Sequence, residues 1–446
     1  MADIVIKNGI IVTMDKDDVI LKNGGLAIED DTIIDVDENE QLMKRYSADV
    51  VIDAKGKAVL PGFVNTHTHL FQNLLKGRRD DLHLFDWVFD VTMPLVKREF
   101  LDSQANDFEL GYYAALLGCV EALKSGTSCL VDMDLRNPRV PDAFKLTGIR
   151  AFFAMNLADR WVPKEVLLPR DEVMKMFEEL ATQWHGAENG RIQCLYGPST
   201  PYICSKEYLQ EIRERASKDR MRIQIHVSET KHERDLVKKE TGKSPLEFLH
   251  SLDFLGSDVI AVHCVWISDR EIDLLKKTGT RVSHNPESNM KLASGVAPVP
   301  KMLRKGITVS LATDGCASND NLDMFEAMRT AAFLHKVSNL DASVISSHDV
   351  LKMATVDGAK AVGLEDKIGS LEKGKKADVI MVDLESAHLR PLNDVVNTLV
   401  YCANGADVDT VIVDGKIIVQ NHVIKTIDEK VLIKQAEDKV KEGFNT

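Results

Sequence analysis

Between residues 58 and 366 the chain alternates short strand-like runs with longer stretches carrying helical signals, and few folds accommodate that rhythm. The runs are Phe63-Val64, Cys129-Leu130-Val131, Ala151-Phe152-Phe153, Ile192-Gln193-Cys194-Leu195, Ile223-Gln224-Ile225, Val259-Ile260-Ala261-Val262, Arg281-Val282-Ser283 and Thr308-Val309-Ser310-Leu311. They are rich in β-branched and small apolar residues, as strands buried on both faces must be. Helical stretches fall between them, such as 107–124 closed by Ser125-Gly126, 268–277 opened by Ser268 as N-cap, and 322–334. Eight strands separated by helices predict an α/β protein built on a (β/α)8 TIM barrel, rather than an open sheet.

The flanking segments use a different vocabulary. Ile4-Val5-Ile6, Asn8-Gly9 and Ile10-Ile11-Val12 read as a hairpin around an Asn-Gly turn. Leu26-Ala27-Ile28 and Thr32-Ile33-Ile34 bracket an acidic turn, and Thr410–Val413 and Lys416–Val419 are joined by Asp414-Gly415. Short strands need partners to bury a face, so residues 1–57 and 367–426 are expected to form one composite β-sandwich domain around the 58–366 barrel. Residues 427–446, with apolar residues at helical spacing between charges, predict a docked C-terminal helix.

Charge and composition exclude several partners. The formal net charge of -13 disfavours a nucleic-acid backbone or an anionic membrane as partner. No apolar stretch is long enough to span a bilayer, and no basic segment followed by an apolar core opens the chain. The seven cysteines are scattered, odd in number and free of Cys-x-x-Cys pairs, the usage of a reduced, cytoplasmic protein.

In such a barrel the chemistry sits where strands end at the C-terminal face. Strand one ends in His67-Thr68-His69, whose imidazoles share a face because side chains two apart in a strand point the same way. Strand five ends in His226 with Glu229 three residues on, strand six in His263, and strand eight in Asp314-Gly315. Each alone would pass for an ordinary hydrogen-bonding residue. Converging from four strands, histidines and a carboxylate suit a divalent metal.

These residues, in this order, resemble the amidohydrolase superfamily in its mononuclear deaminase branch, and the resemblance covers nearly the whole chain. Leu60–His69, Ser283-His284-Asn285-Pro286-Glu287-Ser288-Asn289 and Ala317-Ser318-Asn319-Asp320 narrow it further. They are similar to the group of S-adenosylhomocysteine and methylthioadenosine deaminases and the triazine (atrazine chlorohydrolase-like) hydrolases. The resemblance implies that His67, His69, His226 and Asp314 ligate one divalent metal, Zn²⁺ first and Fe²⁺, Ni²⁺ or Mn²⁺ as alternatives. It makes Glu229 the proton carrier between the attacking water and a ring nitrogen. Asp314 would hold the water's other proton, and His263 would hydrogen-bond the attacking oxygen without ligating. Phe85 and Trp87 would wall the substrate ring, with Val96, Ser199 and Ser318 also lining the pocket. His284, Asn285 and Asn289 receive no chemical role. No strand ends in a lysine of the kind a two-metal site uses; strand four ends in Tyr196-Gly197-Pro198-Ser199. Relatives commonly assemble, so a homo-oligomer is expected.

The function so implied is hydrolytic deamination of a small aromatic N-heterocycle. Nucleoside-deaminating relatives carry a Glu two residues after the Pro that follows the tryptophan, and a His after the Gly-Pro of strand four. Here those positions are Val96 and Ser199. A valine cannot accept hydroxyl hydrogen bonds, so the sequence predicts a ring without ribose, with Glu99, one helical turn on, as the residue able to reverse that reading. The alternatives are a triazine-type chlorohydrolase, an S-adenosylhomocysteine/methylthioadenosine deaminase, and a non-catalytic barrel that only binds. Retention of Glu229 beside a full ligand set disfavours the last, and the Cys-x-x-Cys signature of cytidine-deaminase-type zinc enzymes is missing.

Overall fold

The computed structural model describes residues 2–444. Strands β1 (Ala2–Val12), β2 (Ile20–Glu29), β3 (Thr32–Glu38), β4 (Ala48–Asp53) and β5 (Lys57–Pro61) come first. Strands β6 (Phe63–Thr68), β7 (Thr127–Asp134), β8 (Arg150–Leu157) and β9 (Ile192–Pro198) begin a second sheet. It continues through β10 (Ile223–Val227), β11 (Val259–His263), β12 (Arg281–His284) and β13 (Val309–Leu311). Strands β14 (Val379–Asp383), β15 (Val408–Val413), β16 (Lys416–Gln420) and β17 (Val423–Ile424) return to the first sheet.

β6 to β13 pair in sequence order and in parallel, and each falls on one of the expected runs, β13 starting one residue later than expected. The barrel is drawn shut between its first and last strands by polar contacts. Asn65 Nδ2 donates to Thr313 Oγ1 at 2.8 Å, and the Asp314 N–H donates to the His67 carbonyl at 3.1 Å. That backbone bond sets a carboxylate beside a histidine before any side-chain choice is made.

The expected sandwich is one continuous nine-stranded mixed sheet in the order β17-β16-β15-β14-β5-β1-β2-β3, with β4 added to β1. It curls over a common cluster that includes Ile6, Ile11, Leu26, Ile33, Val379 and Ile412, drawn from both ends of the chain. The hairpin expected at Asn8-Gly9 does not form. β1 runs through those residues as one strand with a bulge, Asn8 at φ 62° and the register slipping on either side of Gly9. A long strand pairs with β2 along its length and with β4 and β5 on its other side, which satisfies more backbone groups than a two-stranded turn would. Lys57–Pro61 also belongs to this sheet, through β1 and β14, so the chain enters the barrel at Gly62, slightly beyond the expected division.

Arg150, at the start of β8, ties the two sheets together. Its guanidinium donates to both Asp378 oxygens at 2.7 and 2.8 Å and to Asp414 at 2.9 Å, with the arginine side chain only 3% exposed. The helix Glu429–Phe444 packs on the helix Glu109–Lys124, burying Leu432 and Ala436 and pairing Lys124 with Glu429. No helix among the described residues is long and apolar enough to cross a membrane.

Candidate metal centre and substrate cavity

The ends of β6, β10, β11 and β13 converge on one point. His67 Nε2 lies 3.1 Å from His226 Nε2, and His69 Nε2 lies 3.2 Å from His226 Nε2. Asp314 Oδ1 stands 3.4 Å from His67 Nε2 and 3.5 Å from His69 Nε2. Each Nδ1 is taken by an oxygen on the outside: His67 donates to Gln224 Oε1 at 2.9 Å, His69 to the Met133 carbonyl at 2.6 Å, and His226 to the Ser199 carbonyl at 2.8 Å. With the proton on Nδ1, all three Nε2 lone pairs face one another. Lone pairs 3.1–3.2 Å apart repel, unless a cation lies between them. Burial, reinforced by His67, pushes His69 down to about 4, and burial holds His226 well below its usual range, so both imidazoles are neutral and fit to ligate. The donor set of His67, His69 and His226 with Asp314 therefore fits a divalent metal; the donor atoms of His67, His263 and Asp314 also lie within 4.8 Å of one another.

Several of these side chains are aimed by strained backbone. Ser228 just past β10, His263 closing β11 and Asp314 just past β13 have φ of 55°, 71° and 63°. Non-glycine residues in this left-handed region cost on the order of 1–2 kcal/mol each, and such strain concentrates where a side chain must be turned against the local preference. After Asp314, a Cβ on Gly315 would fall 2.0 Å from Gln72 Oε1, which accounts for the Asp-Gly pair.

Glu229 is 7% exposed and hangs over the same point. Burial, together with the Asp314 charge, pushes its carboxyl up to about 8, against the pull of the Ser294 hydroxyl that donates to Oε1 at 3.2 Å. Its Oε2 lies 3.6 Å from His263 Nε2, too far for a direct hydrogen bond but bridged readily by a reacting group. His263 Nδ1 donates to Asn289 Oδ1 at 2.9 Å, which turns Nε2 towards Glu229.

A cavity of about 390 Å³ opens above these groups, within the size range of small-molecule pockets. All the expected contact residues, Phe85, Trp87, Val96, Ser199 and Ser318, line it. Glu99 does not: it is buried beside a separate small cavity, its carboxyl raised well above the usual range by burial and then by Asp134. The polar lining residues Arg136, Asn156, Thr200 and His232 were not anticipated. Nor were the residues that hold the site: Gln224 behind His67, Ser288 donating to Asp314 Oδ2 at 2.6 Å, and Asn289 behind His263. Gln224 carried a usable signal, since it precedes His226 by two in the same strand and so faces the same side. His284 instead pairs with His335 in the interior, Nε2 to Nε2 at 3.1 Å.

The chain matches the amidohydrolase family model over residues 58–418. It is 44% identical over 442 residues to the 5'-deoxyadenosine deaminase of Methanosarcina acetivorans, covering 99% of this chain and 98% of that protein. It is 38% identical over 430 residues to the 5-methylthioadenosine/S-adenosylhomocysteine deaminase of Desulforamulus reducens, covering 96% of each. Its fold superposes on an adenosine deaminase from Xanthomonas campestris, solved with bound zinc, at a TM-score of 0.92, with 30% identity and 99% of each chain covered.

Proposed function

The chain belongs to the amidohydrolase family, and on that premise we propose that it hydrolytically deaminates the adenine ring of a 5'-deoxyadenosine-type nucleoside. The observation that carries the reading is the identity of 44% across 99% of the chain with a 5'-deoxyadenosine deaminase, joined to a cavity large enough for a nucleoside. A methylthioadenosine or S-adenosylhomocysteine substrate is the second reading, favoured by the relative 38% identical over 430 residues.

The expectation of a ring without ribose is withdrawn. Relatives that resemble this chain over nearly its full length are named for ribose-bearing substrates. Val96 does line the cavity, but so do Arg136, Asn156, Thr200 and His232, and any of these polar side chains can meet a hydroxyl that valine cannot. One missing acceptor therefore does not empty the pocket of partners. Glu99 plays no part in the correction, because it faces the neighbouring cavity.

His67, His69, His226 and Asp314 would hold one divalent metal, zinc being the first candidate for three imidazoles and a carboxylate. Such a metal supplies Lewis acidity and lowers the pKa of water towards neutrality. Glu229 accepts a proton from the attacking water and delivers it to the ring nitrogen beside C6, a role suited to a carboxyl poised near neutral pH. Asp314 accepts the water's other proton and returns it to the departing amino group. His263, oriented by Asn289, hydrogen-bonds the hydroxyl formed at C6 through its Nε2 lone pair, and the amino group leaves as ammonia. The test is direct: incubation of the purified protein with 5'-deoxyadenosine should release ammonia and leave the inosine-type product. No release from any 5'-modified adenosine sinks the reading.

A further inference from the structure

Glu233 sits on the first turn of the helix Lys231–Thr241, 2% exposed, and its carboxylate does something unusual. At three other helices the acid in the equivalent place folds back on its own N-cap: Glu247 to Ser244, Glu271 to Ser268, and Asp349 to Ser346. Glu233 passes its N-cap, Thr230, and reaches further back. Oε1 accepts the Ser228 N–H and Oε2 accepts the Glu229 N–H, each at 2.8 Å. Thr230 Oγ1 still accepts the Glu233 N–H at 3.1 Å, so the helix is capped without help from the Glu233 side chain.

The two peptide groups it grips are those that carry Glu229 out over the site. Ser228 is held at φ 55°, a conformation that relaxes unless its surroundings enforce it. The Ser228 carbonyl accepts the Trp266 N–H at 2.8 Å, the Trp266 indole donates to the Ser294 carbonyl at 2.6 Å, and the Ser294 hydroxyl donates to Glu229 Oε1. Glu229 is thus fixed at its backbone by Glu233 and at its carboxyl by Ser294, within one closed circuit of hydrogen bonds.

We propose that Glu233 is a positioning residue for Glu229: by accepting two adjacent N–H groups it holds the strained turn that points the Glu229 carboxyl at the reacting group. Only a carboxylate offers two acceptors at this spacing. A glutamine presents one oxygen and one NH₂, and that NH₂ confronts a second N–H donor. The proposal rests on Glu229 being the proton carrier, as above.

The test is a kinetic cycle on metal-loaded protein with 5'-deoxyadenosine. Glu233→Gln should lower kcat by about 10-fold or more, with KM and metal content changed less than about 2-fold, since the metal ligands and cavity walls are untouched. In a Glu229→Gln background the same change should cost less than about 2-fold, because a residue acting through Glu229 has nothing left to position. Glu233→Asp, one methylene shorter, should reproduce the kcat loss and serves if Glu233→Gln does not fold. A crystal structure of the variant should show the Glu229 carboxyl detached from Ser294. Unchanged kcat, a full additional loss in the Glu229→Gln background, or a Glu229 carboxyl still in place overturns the proposal. Wild-type protein inert towards adenosine-type nucleosides sinks the functional reading instead, and the crystal structure still decides the positioning.

Discussion

His67 Nε2 and His226 Nε2 stand 3.1 Å apart with neither able to donate to the other, because each ring already spends its Nδ1 proton on an oxygen outside the pair. That arrangement is costly in an empty protein and favourable around a cation. We therefore expect about one divalent metal per chain in purified protein, measured by elemental analysis. Chelation should abolish turnover and lower the melting temperature, since a ligand at 1,000 times its Kd stabilises by about 4 kcal/mol. Full activity in protein stripped of metal, or two metals per chain, would contradict this donor set.

Replacing Glu229 by Gln keeps its volume and its contact with Ser294 but removes the ability to accept a proton. Turnover should fall by roughly two or more orders of magnitude while metal content stays near one per chain. Near-normal rates in a metal-replete variant would mean that another group carries the proton.

The barrel, the terminal sheet and the converging strand ends were legible because each has a short-range signature. β-branched runs mark the strands, and a histidine or aspartate closing such a run marks the site. Less legible was whatever depends on residues far apart in sequence. Asn8-Gly9 carries a good turn signal, yet β4 and β5 compete for the same strand and win. Asn289 gave no hint of chemistry, because its importance comes from meeting His263 across the barrel mouth. Val96 lines the cavity but is not decisive, since the polar residues able to compensate, Arg136, Asn156, Thr200 and His232, arrive from other elements of the barrel.

Arg150 offers a purely structural test. Its guanidinium satisfies Asp378 and Asp414 together in the interior, at the opposite end of β8 from the cavity-lining Asn156. Arg150→Met leaves buried Asp378 without its cation and Asp414 with only Lys376 at 3.8 Å, which should destabilise the protein by about 3–5 kcal/mol. Denaturant melts should show that loss, while kcat per folded, metal-loaded molecule stays within about 2-fold of wild type. A variant as stable as the parent would show that the linkage between the sheets is carried elsewhere.

The last prediction concerns which 5' group the cavity prefers. Phe85, Val88, Phe89, Trp161, Val162 and Leu167 line its walls, and Phe89 and Trp161 remain 56% and 60% exposed at the mouth. The lining cation outside the histidines, Arg136, already donates to the Val166 carbonyl at 3.0 Å. An apolar wall gains from burying a methyl or methylthio group, on the order of 1 kcal/mol per methyl-sized unit, and loses where a charged group must shed water. The kcat/KM for 5'-deoxyadenosine and methylthioadenosine should therefore exceed that for S-adenosylhomocysteine, whose tail is zwitterionic, by about 10-fold or more. Free adenine, which forfeits every contact made to the sugar, should be poorer still. Trp161→Ala should narrow the gap between methylthioadenosine and S-adenosylhomocysteine by weakening the former, since it removes the exposed indole area at the mouth that a methylthio group would cover. If S-adenosylhomocysteine instead leads the series, the mouth recognises charge, and Arg136→Gln becomes the substitution that should collapse the preference.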